Sequence, residues 1–487
     1  MLLLSTTLNE HNRGYDQKKH ANQGELLSKS KWISPFVLIA GMAVASGAVA
    51  QPKNFPPGKN LSSGPPFKVN QPDKKIADLY VFCDIGDIEL GLINTKTDQL
   101  IQVSLANLEG WPGEETSCQH AWTSPDGKTL YASVDATPPD PAAVIVVDVK
   151  EINWDLNQAD LEITKTLVLS PAGTLSDFPE VHQVDPRQPI AEWISTTFTQ
   201  AHGPTFLPHS HYTYVTQYPT NEIRVIDTRT QQLAAVDPLI FPPESGEVSR
   251  QTHGVNFNPS GTIGLGTGYF YGHDEIDVYR ADKRTGALDY QGSIHLIDEE
   301  KLAHAALTHY TVWLNNRYAL TASMQFGPTS LAPPPLNLEI TGPSVWLLDV
   351  IRGTAKQIIG TAQFPEDAGV FRSPSDLAVA NFKLYLAEED TLDGSFGEDG
   401  YVSVFNITNL HEPKFIKRLK PGVELPDDFS VAHGIGVTSN EHSVYVASYY
   451  SNYIIKINTL TDEVVKVYGP EDGLNAPHGG FIAGSTR

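Results

Sequence analysis

Residues 253–269 read HGVNFNPSGTIGLGTGY. A His-Gly pair opens the segment and apolar residues alternate behind it. A polar Asn-Pro-Ser-Gly tip turns the chain, and a second alternating run leads away. Period-two patterning on both sides of such a tip predicts a β-hairpin. Two further segments align with it without a gap: HGPTFLPHSHYTYVTQY from His202 and HGIGVTSNEHSVYVASY from His433. In all three, an apolar or aromatic residue (Leu265, Tyr214, Tyr445) stands twelve residues after the histidine.

Weaker copies surround these three. HAWTSPDGKTLYAS from His120 is one residue shorter at the turn, and HYTVWLNNRYALTAS from His309 is shorter at the tip. SPSDLAVANFKLYLAEED, with Ser373 and Ser375 at its start, has the hairpin but no histidine, and PHGGFIAGSTR at the C-terminus holds His478 with only a first strand. Each hairpin is followed by a third strand ending in Asp or Asn, as in EIRVIDTRT (222–230), YVSVFNITN (401–409) and YIIKINTLTD (453–462), and a fourth strand leads to the next hairpin. Four antiparallel strands per repeat make the blade of a β-propeller. First strands begin near 120, 202, 253, 309, 375, 433 and 478, which gives seven blades, and the long first interval implies an insertion near 152–200. The last blade takes its other three strands from LYVFCDIGDIELGLINTKTDQLIQVSL (79–105). Closing the ring from both chain ends removes exposed sheet edges. The expectation is an all-β, seven-bladed propeller of four-stranded antiparallel blades over 77–487.

The chain of 487 residues is 40% hydrophobic, enough for a large core, and its formal charge of −23 argues against a nucleic-acid partner. Two cysteines exclude a disulfide-rich scaffold and a Cys-only metal site. Residues 33–50 read ISPFVLIAGMAVASGAVA, preceded by Lys29 and Lys31 and ending in Ala48-Val49-Ala50. That is the pattern of a signal peptide cleaved before Gln51, so 1–50 is expected to be a leader, 51–76 a flexible Pro-rich linker, and the mature chain periplasmic or secreted with no membrane span.

First strands of propeller blades line the central channel, so equivalent positions converge on one ring. Six of the seven carry histidine: His120, His202, His253, His309, His433 and His478; the seventh has Ser375 or Ser373. Two readings stand open. Imidazoles in such a ring bind metal, with copper suited best by many nitrogens and no Cys-rich motif. Alternatively His-Gly is the structural consensus of the repeat, the imidazole bonding a neighbouring blade and the glycine letting the chain pass near the axis. An acid or base for chemistry there is sought in Asp376, Asp274 or Glu275.

The hairpins around His253-Gly254, Pro259-Ser260-Gly261 and Ser124-Pro125-Asp126-Gly127 resemble those of the YVTN/YncE-like seven-bladed propellers, over most of 79–487. Within that group, a histidine on nearly every first strand is similar to the copper-cluster propellers, namely thiocyanate dehydrogenase and the nitrous oxide reductase N-terminal domain. The resemblance implies an exported copper-binding oxidoreductase with a small inorganic or sulfur/nitrogen substrate and a periplasmic electron-transfer partner. The chain departs from them where Gln119-His120 replaces a His-His pair, and in having no C-terminal cupredoxin domain. The contrasting expectation is a non-catalytic YVTN-type propeller that binds a protein or glycan, with structural His-Gly repeats.

Other residues are weaker candidates. Cys118 could pair with Cys83, stay an inert thiol or reach the channel as a ligand. His209, His211 and His442 fall on hairpin tips or second strands, and His182, His273 and His304 in connections. The acidic stretch Asp390–Gly400 has oxygen donors for calcium without the full EF-hand pattern. No phosphate-binding Gly-rich loop and no G-x-S-x-G elbow occurs.

Overall fold

The computed structural model describes residues 79–482, apart from 114–115, 125–128, 137–141, 171–199, 219–221, 242–251, 269–274, 299–302, 305–307, 325–341 and 390–399. The expected leader and linker, Asp274, His273, His182 and the acidic stretch before Gly400 lie outside the described residues.

The architecture is all-β, with seven four-stranded antiparallel blades. Blade one is Thr116–Thr123, Thr129–Ala136, Ala142–Asn153 and Gln158–Ser170. Blade two opens with Gln200–Phe206, Tyr212–Tyr218 and Glu222–Asp227. Blade three is Thr252–Phe257, Ile263–Gly268, Glu275–Ala281 and Leu288–His295, and blade four is Thr308–Trp313, Tyr318–Ser323, Ser344–Asp349 and Thr354–Ile359. Blade five is Ser373–Ala380, Lys383–Glu389, Tyr401–Asn406 and Lys414–Leu419, and blade six is Ala432–Val437, Ser443–Ser448, Tyr453–Asn458 and Glu463–Tyr468. Blade seven joins the two ends: Phe481–Ile482 pairs with Leu79–Asp84, followed by Glu89–Asn94 and Leu100–Ser104. The closure expected from the sequence is therefore the one observed.

The core is a cycle of seven apolar clusters, one between each pair of adjacent blades. Leu79, Val81 and Leu92 of blade seven meet Leu130, Val134 and Ile145 of blade one, and Tyr80 and Phe82 meet Tyr445 and Ile454 of blade six. The other five clusters join blades one to two, two to three, three to four, four to five and five to six. Alternating strand residues face the two neighbouring blades, which is why the third strands read as nearly continuous apolar runs.

Two local departures have physical causes. Part of the long interval before blade two is strand, because the third and fourth strands of blade one run 12 and 13 residues. The fourth strand of blade two is broken into Gln232–Leu233 and Leu239–Ile240 around Asp237-Pro238. Proline brings no N–H to the ladder. Asp237 Oδ1 instead accepts the Val225 N–H at 2.7 Å, and its carboxylate pairs with the buried Arg224 guanidinium at 2.5 Å.

Candidate metal centre on the propeller axis

Every first strand from blade one to blade six is bulged at its axial position. The register shifts fall between Cys118 and Ala121, His202 and Thr205, Thr252 and Gly254, Thr308 and Thr311, Pro374 and Asp376, and Ala432 and Ile435. A bulge bends the strand and re-aims a side chain, and here it turns each histidine off the sheet face. Buried hydroxyls hold the bulged backbone. Thr216 Oγ1 lies 2.9 Å from the His202 carbonyl and 2.7 Å from that of His253. Thr267 donates to the His309 carbonyl (2.8 Å), and Ser375 Oγ lies 3.2 Å from the Ala432 carbonyl. Glycine is needed for the close approach: a Cβ on Gly203, at φ +54°, would sit 2.4 Å from the His253 carbonyl, and one on Gly434 would sit 2.0 Å from Gly479 Cα.

The six histidines form a closed ring, 3–7% exposed. Ring centroids are 4.4 Å apart for His120–His202, 4.0 Å for His202–His253, 4.1 Å for His253–His309, 5.0 Å for His309–His433, 4.7 Å for His433–His478 and 4.7 Å for His478–His120. The register offset at His120 does not exclude it. Blade five contributes no imidazole: its Ser375 hydroxyl is turned onto backbone carbonyls.

Blade five contributes carboxylates instead. Asp376 Oδ1 accepts from His309 Nδ1 at 3.2 Å, and its Oδ2 accepts the Ile435 N–H at 3.3 Å. Glu389, at the end of the second strand, is hydrogen-bonded to His433 Nδ1. Its neighbour Glu388 pairs with Arg418, which stacks 3.8 Å over the Tyr401 ring, so that strand end is fixed from behind. His253 Nδ1 donates to the His309 carbonyl at 3.2 Å. An Nδ1 proton on a neutral imidazole leaves Nε2 as a lone-pair donor. Elsewhere in the ring, His120 Nε2 meets His202 Nε2 at 3.2 Å, and the Gln119 side-chain amide meets His478 Nε2 at 3.4 Å. Tyr449 stacks against the edge of the ring, 5.3 Å from His433 and 5.4 Å from His478.

Burial dominates the electrostatics. It lowers His202 to about 3, assisted by the His309 and His433 imidazoles and opposed by Asp376. Burial followed by the neighbouring imidazoles lowers His253 and His478 well below the ordinary range. These three are neutral at physiological pH. Among the described residues, no three His, Cys, Asp or Glu side chains are arranged as they stand to hold one ion. The donor set itself suits a transition metal, but the His120–His202 contact turns two nitrogens onto each other and would have to open.

Of the two expected acids and bases among the described residues, Asp376 is brought to the ring and Glu275 is not. Glu275 stands at the start of a third strand, 3.7 Å from His295. His209 and His211 lie at the hairpin tip of blade two and His442 at that of blade six, at the far end of each first strand from the ring. Cys83 and Cys118 form a disulfide, with Cα atoms 5.5 Å apart, so Cys118 is not a ligand. Glu389 and Tyr449 were not singled out from the sequence, and Gln119 was noted only as a departure from a His-His pair. The one signal for Glu389 was the Glu388-Glu389 pair closing the hairpin that lacks histidine.

No family model matches this chain, and no curated protein does. Solved structures do. A protein from Lactobacillus plantarum superposes with a TM-score of 0.53 at 13% identity, covering 83% of this chain and 98% of the other. A periplasmic gluconolactonase from Pseudomonas aeruginosa gives 0.53 at 11%, covering 84% and 99%. A putative 6-phosphogluconolactonase from Bacteroides fragilis gives 0.50 at 13%, with the same coverage of 84% and 99%. At such identities the likeness shows the propeller fold. No helix of the described residues is long and apolar enough to cross a membrane.

Proposed function

We propose that this chain is an exported copper-dependent oxidoreductase acting on a small inorganic, sulfur- or nitrogen-containing compound at the histidine ring. The observation that carries the reading is the ring: six buried imidazoles from six blades around one axis, three of them held neutral by burial. A purely structural imidazole is expected to satisfy both nitrogens when buried. His478 Nδ1 is buried with no hydrogen-bond partner among the described residues, which suits a site built for an occupant. The similarity of the six axial histidines to those of copper-cluster propellers supports the choice of metal.

His253, His309 and His433 would ligate through Nε2, because Nδ1 is engaged in each. His120, His202 and His478 would join once their Nε2 contacts open. Copper bound there would supply one-electron redox chemistry and Lewis acidity. The chain's own groups keep the ring dry and hold its tautomers through Asp376 and Glu389, and they present the Tyr449 ring as a contact for substrate. A periplasmic electron-transfer protein would take or deliver the electrons.

The His120–His202 nitrogen contact favours a second reading, in which the ring is structural and the propeller binds a protein or glycan. The likeness to gluconolactonases adds sugar-lactone hydrolysis as a reaction to assay. One experiment separates them. The full chain is exported in a copper-supplied host, purified without a His tag and analysed for bound metals beside a His253→Ala, His433→Ala double variant. About two or more coppers per chain, lost in the folded variant, are expected. A copper-loaded wild type that retains no transition metal would overturn the copper reading.

A further inference from the structure

His478 is held differently from the other five ring histidines. Those lie within first strands whose blades are continuous in sequence, whereas His478 leads into the strand at Phe481–Ile482, which pairs with Leu79–Asp84 from the other part of the chain. Its place depends on what flanks the C-terminal segment. On one side, the Leu79–Asp84 strand supplies the Cys83 carbonyl to the His478 N–H at 2.8 Å, and Asp84 forms a bridge with Pro477. Asp84 Oδ2 accepts the Asn475 N–H at 2.8 Å, and the Tyr80 hydroxyl accepts that of Gly480 at 3.1 Å. On the other side, Ala121 of the Thr116–Thr123 strand forms a parallel bridge with Gly480, and Gln119 and His120 contact the His478 ring. The segment is threaded between two strands, and those two strands are joined by the Cys83–Cys118 disulfide. Both cysteines are fully buried. Cys83 carries the carbonyl that anchors His478, and Cys118 precedes His120 by two residues.

We propose that the Cys83–Cys118 disulfide is a positioning crosslink that completes the histidine ring, so that His478 takes its place only in the oxidised chain. The two thiols give up two protons and two electrons as their S–S bond forms. A disulfide-bearing oxidant accepts them, its own S–S bond breaking to two thiols. Disulfides form in oxidising compartments, so the ring would stay incomplete before export and close after it. Both cysteines sit in the apolar cluster between blades seven and one. Without the bond the two strands keep that packing but lose the constraint on their separation, and the C-terminal segment held between them loosens.

The role of the bond in completing a metal site rests on the copper reading; the latching of the tail does not, and it is measured on metal-free protein. Hydrogen exchange is followed by mass spectrometry in the full chain: oxidised wild type, reduced wild type, and two variants, Cys83→Ala/Cys118→Ala and Cys83→Ala/Cys118→Val, the second restoring lost volume. In every folded form lacking the bond, residues 475–482 should exchange about a hundredfold faster, while 252–257 and 308–313 are unchanged. Diethyl pyrocarbonate should then label His478 ahead of His253. Copper added to the Val variant should give a changed visible spectrum with fewer nitrogen ligands, and reoxidation of the reduced wild type should restore the protected tail. A tail equally protected with and without the bond overturns the proposal. If the tail loosens but the wild type binds no copper, the latch stands and the copper reading falls.

Discussion

The histidine ring divides into two arcs that differ in how their imidazoles are held. In the arc of His253, His309 and His433, every Nδ1 has an acceptor: the His309 carbonyl, Asp376 and Glu389. In the arc of His120, His202 and His478, the Nε2 atoms are engaged with one another or with Gln119, and the Nδ1 atom of His478 has no hydrogen-bond partner among the described residues. A buried polar atom left unpaired costs about 1–3 kcal/mol. The first arc is thus preorganised to offer lone pairs inward, while the second carries stored cost that a ligand or bound water would relieve. The difference originates in blade five, which gives up its own histidine and supplies the carboxylates that orient its neighbours'.

Acid gives the largest expected effect, and it bears on both arcs. Burial lowers folded His202 to about 3 and lowers His253 and His478 well below their ordinary range. Between the unfolded pKa of about 6.5 and the folded one, only the unfolded chain binds the proton, so each of the three removes about 1.4 kcal/mol of stability per pH unit of acidification. Asp84, raised by burial to about 7, and Asp135, raised well above its usual range, act the other way. Their folded forms protonate first, so each adds stability as pH falls toward about 4. Glu388 and Glu89, also raised by burial, act with these two carboxylates against the histidines, so the decline due to the ring is expected mainly below about pH 4, where the carboxylates of both states are protonated. Denaturant unfolding of the metal-free protein at stepped pH measures this. A curve with no decline between pH 6.5 and 3 would mean that the ring is not dry.

The carboxylates come next. Asp376→Asn and Glu389→Gln should each weaken the tightest copper by about 10- to 100-fold, read by chelator competition. Loss of affinity confined to the weaker ions would reverse the ranking of the arcs. Gln119→Ala should be the mildest. It removes one contact to His478 and should change binding at the second arc by less than about tenfold, in keeping with about 1 kcal/mol for a hydrogen bond. A larger change would make Gln119 part of that arc.

The propeller was legible because its determinants are local and periodic. The gapless alignment from His202, His253 and His433 fixes hairpin register, and the lone strand at His478 forces closure by 79–105. The convergence of six histidines followed from their equivalence in the repeat. What the sequence did not disclose lies between blades. Asp376 reaches a histidine 67 residues away and Glu389 one 44 away, and no period links them. The bulges were hidden because one extra residue in a strand leaves the alternation on either side intact. The broken fourth strand of blade two was missed because Asp237 replaces ladder bonds with its side chain.

Thr216 joins the two arcs. Its fully buried hydroxyl has one proton and faces two carbonyls, that of His202 in the adaptable arc and that of His253 in the preorganised one. A shift of either histidine's backbone would change which carbonyl the proton favours, so a ligand held at one arc would be felt as a change of affinity at the other. Such coupling is reciprocal. Copper should therefore bind the wild-type chain with interdependent rather than independent steps, and Thr216→Val, which keeps the shape and removes the shared proton, should make the steps separable in a calorimetric titration.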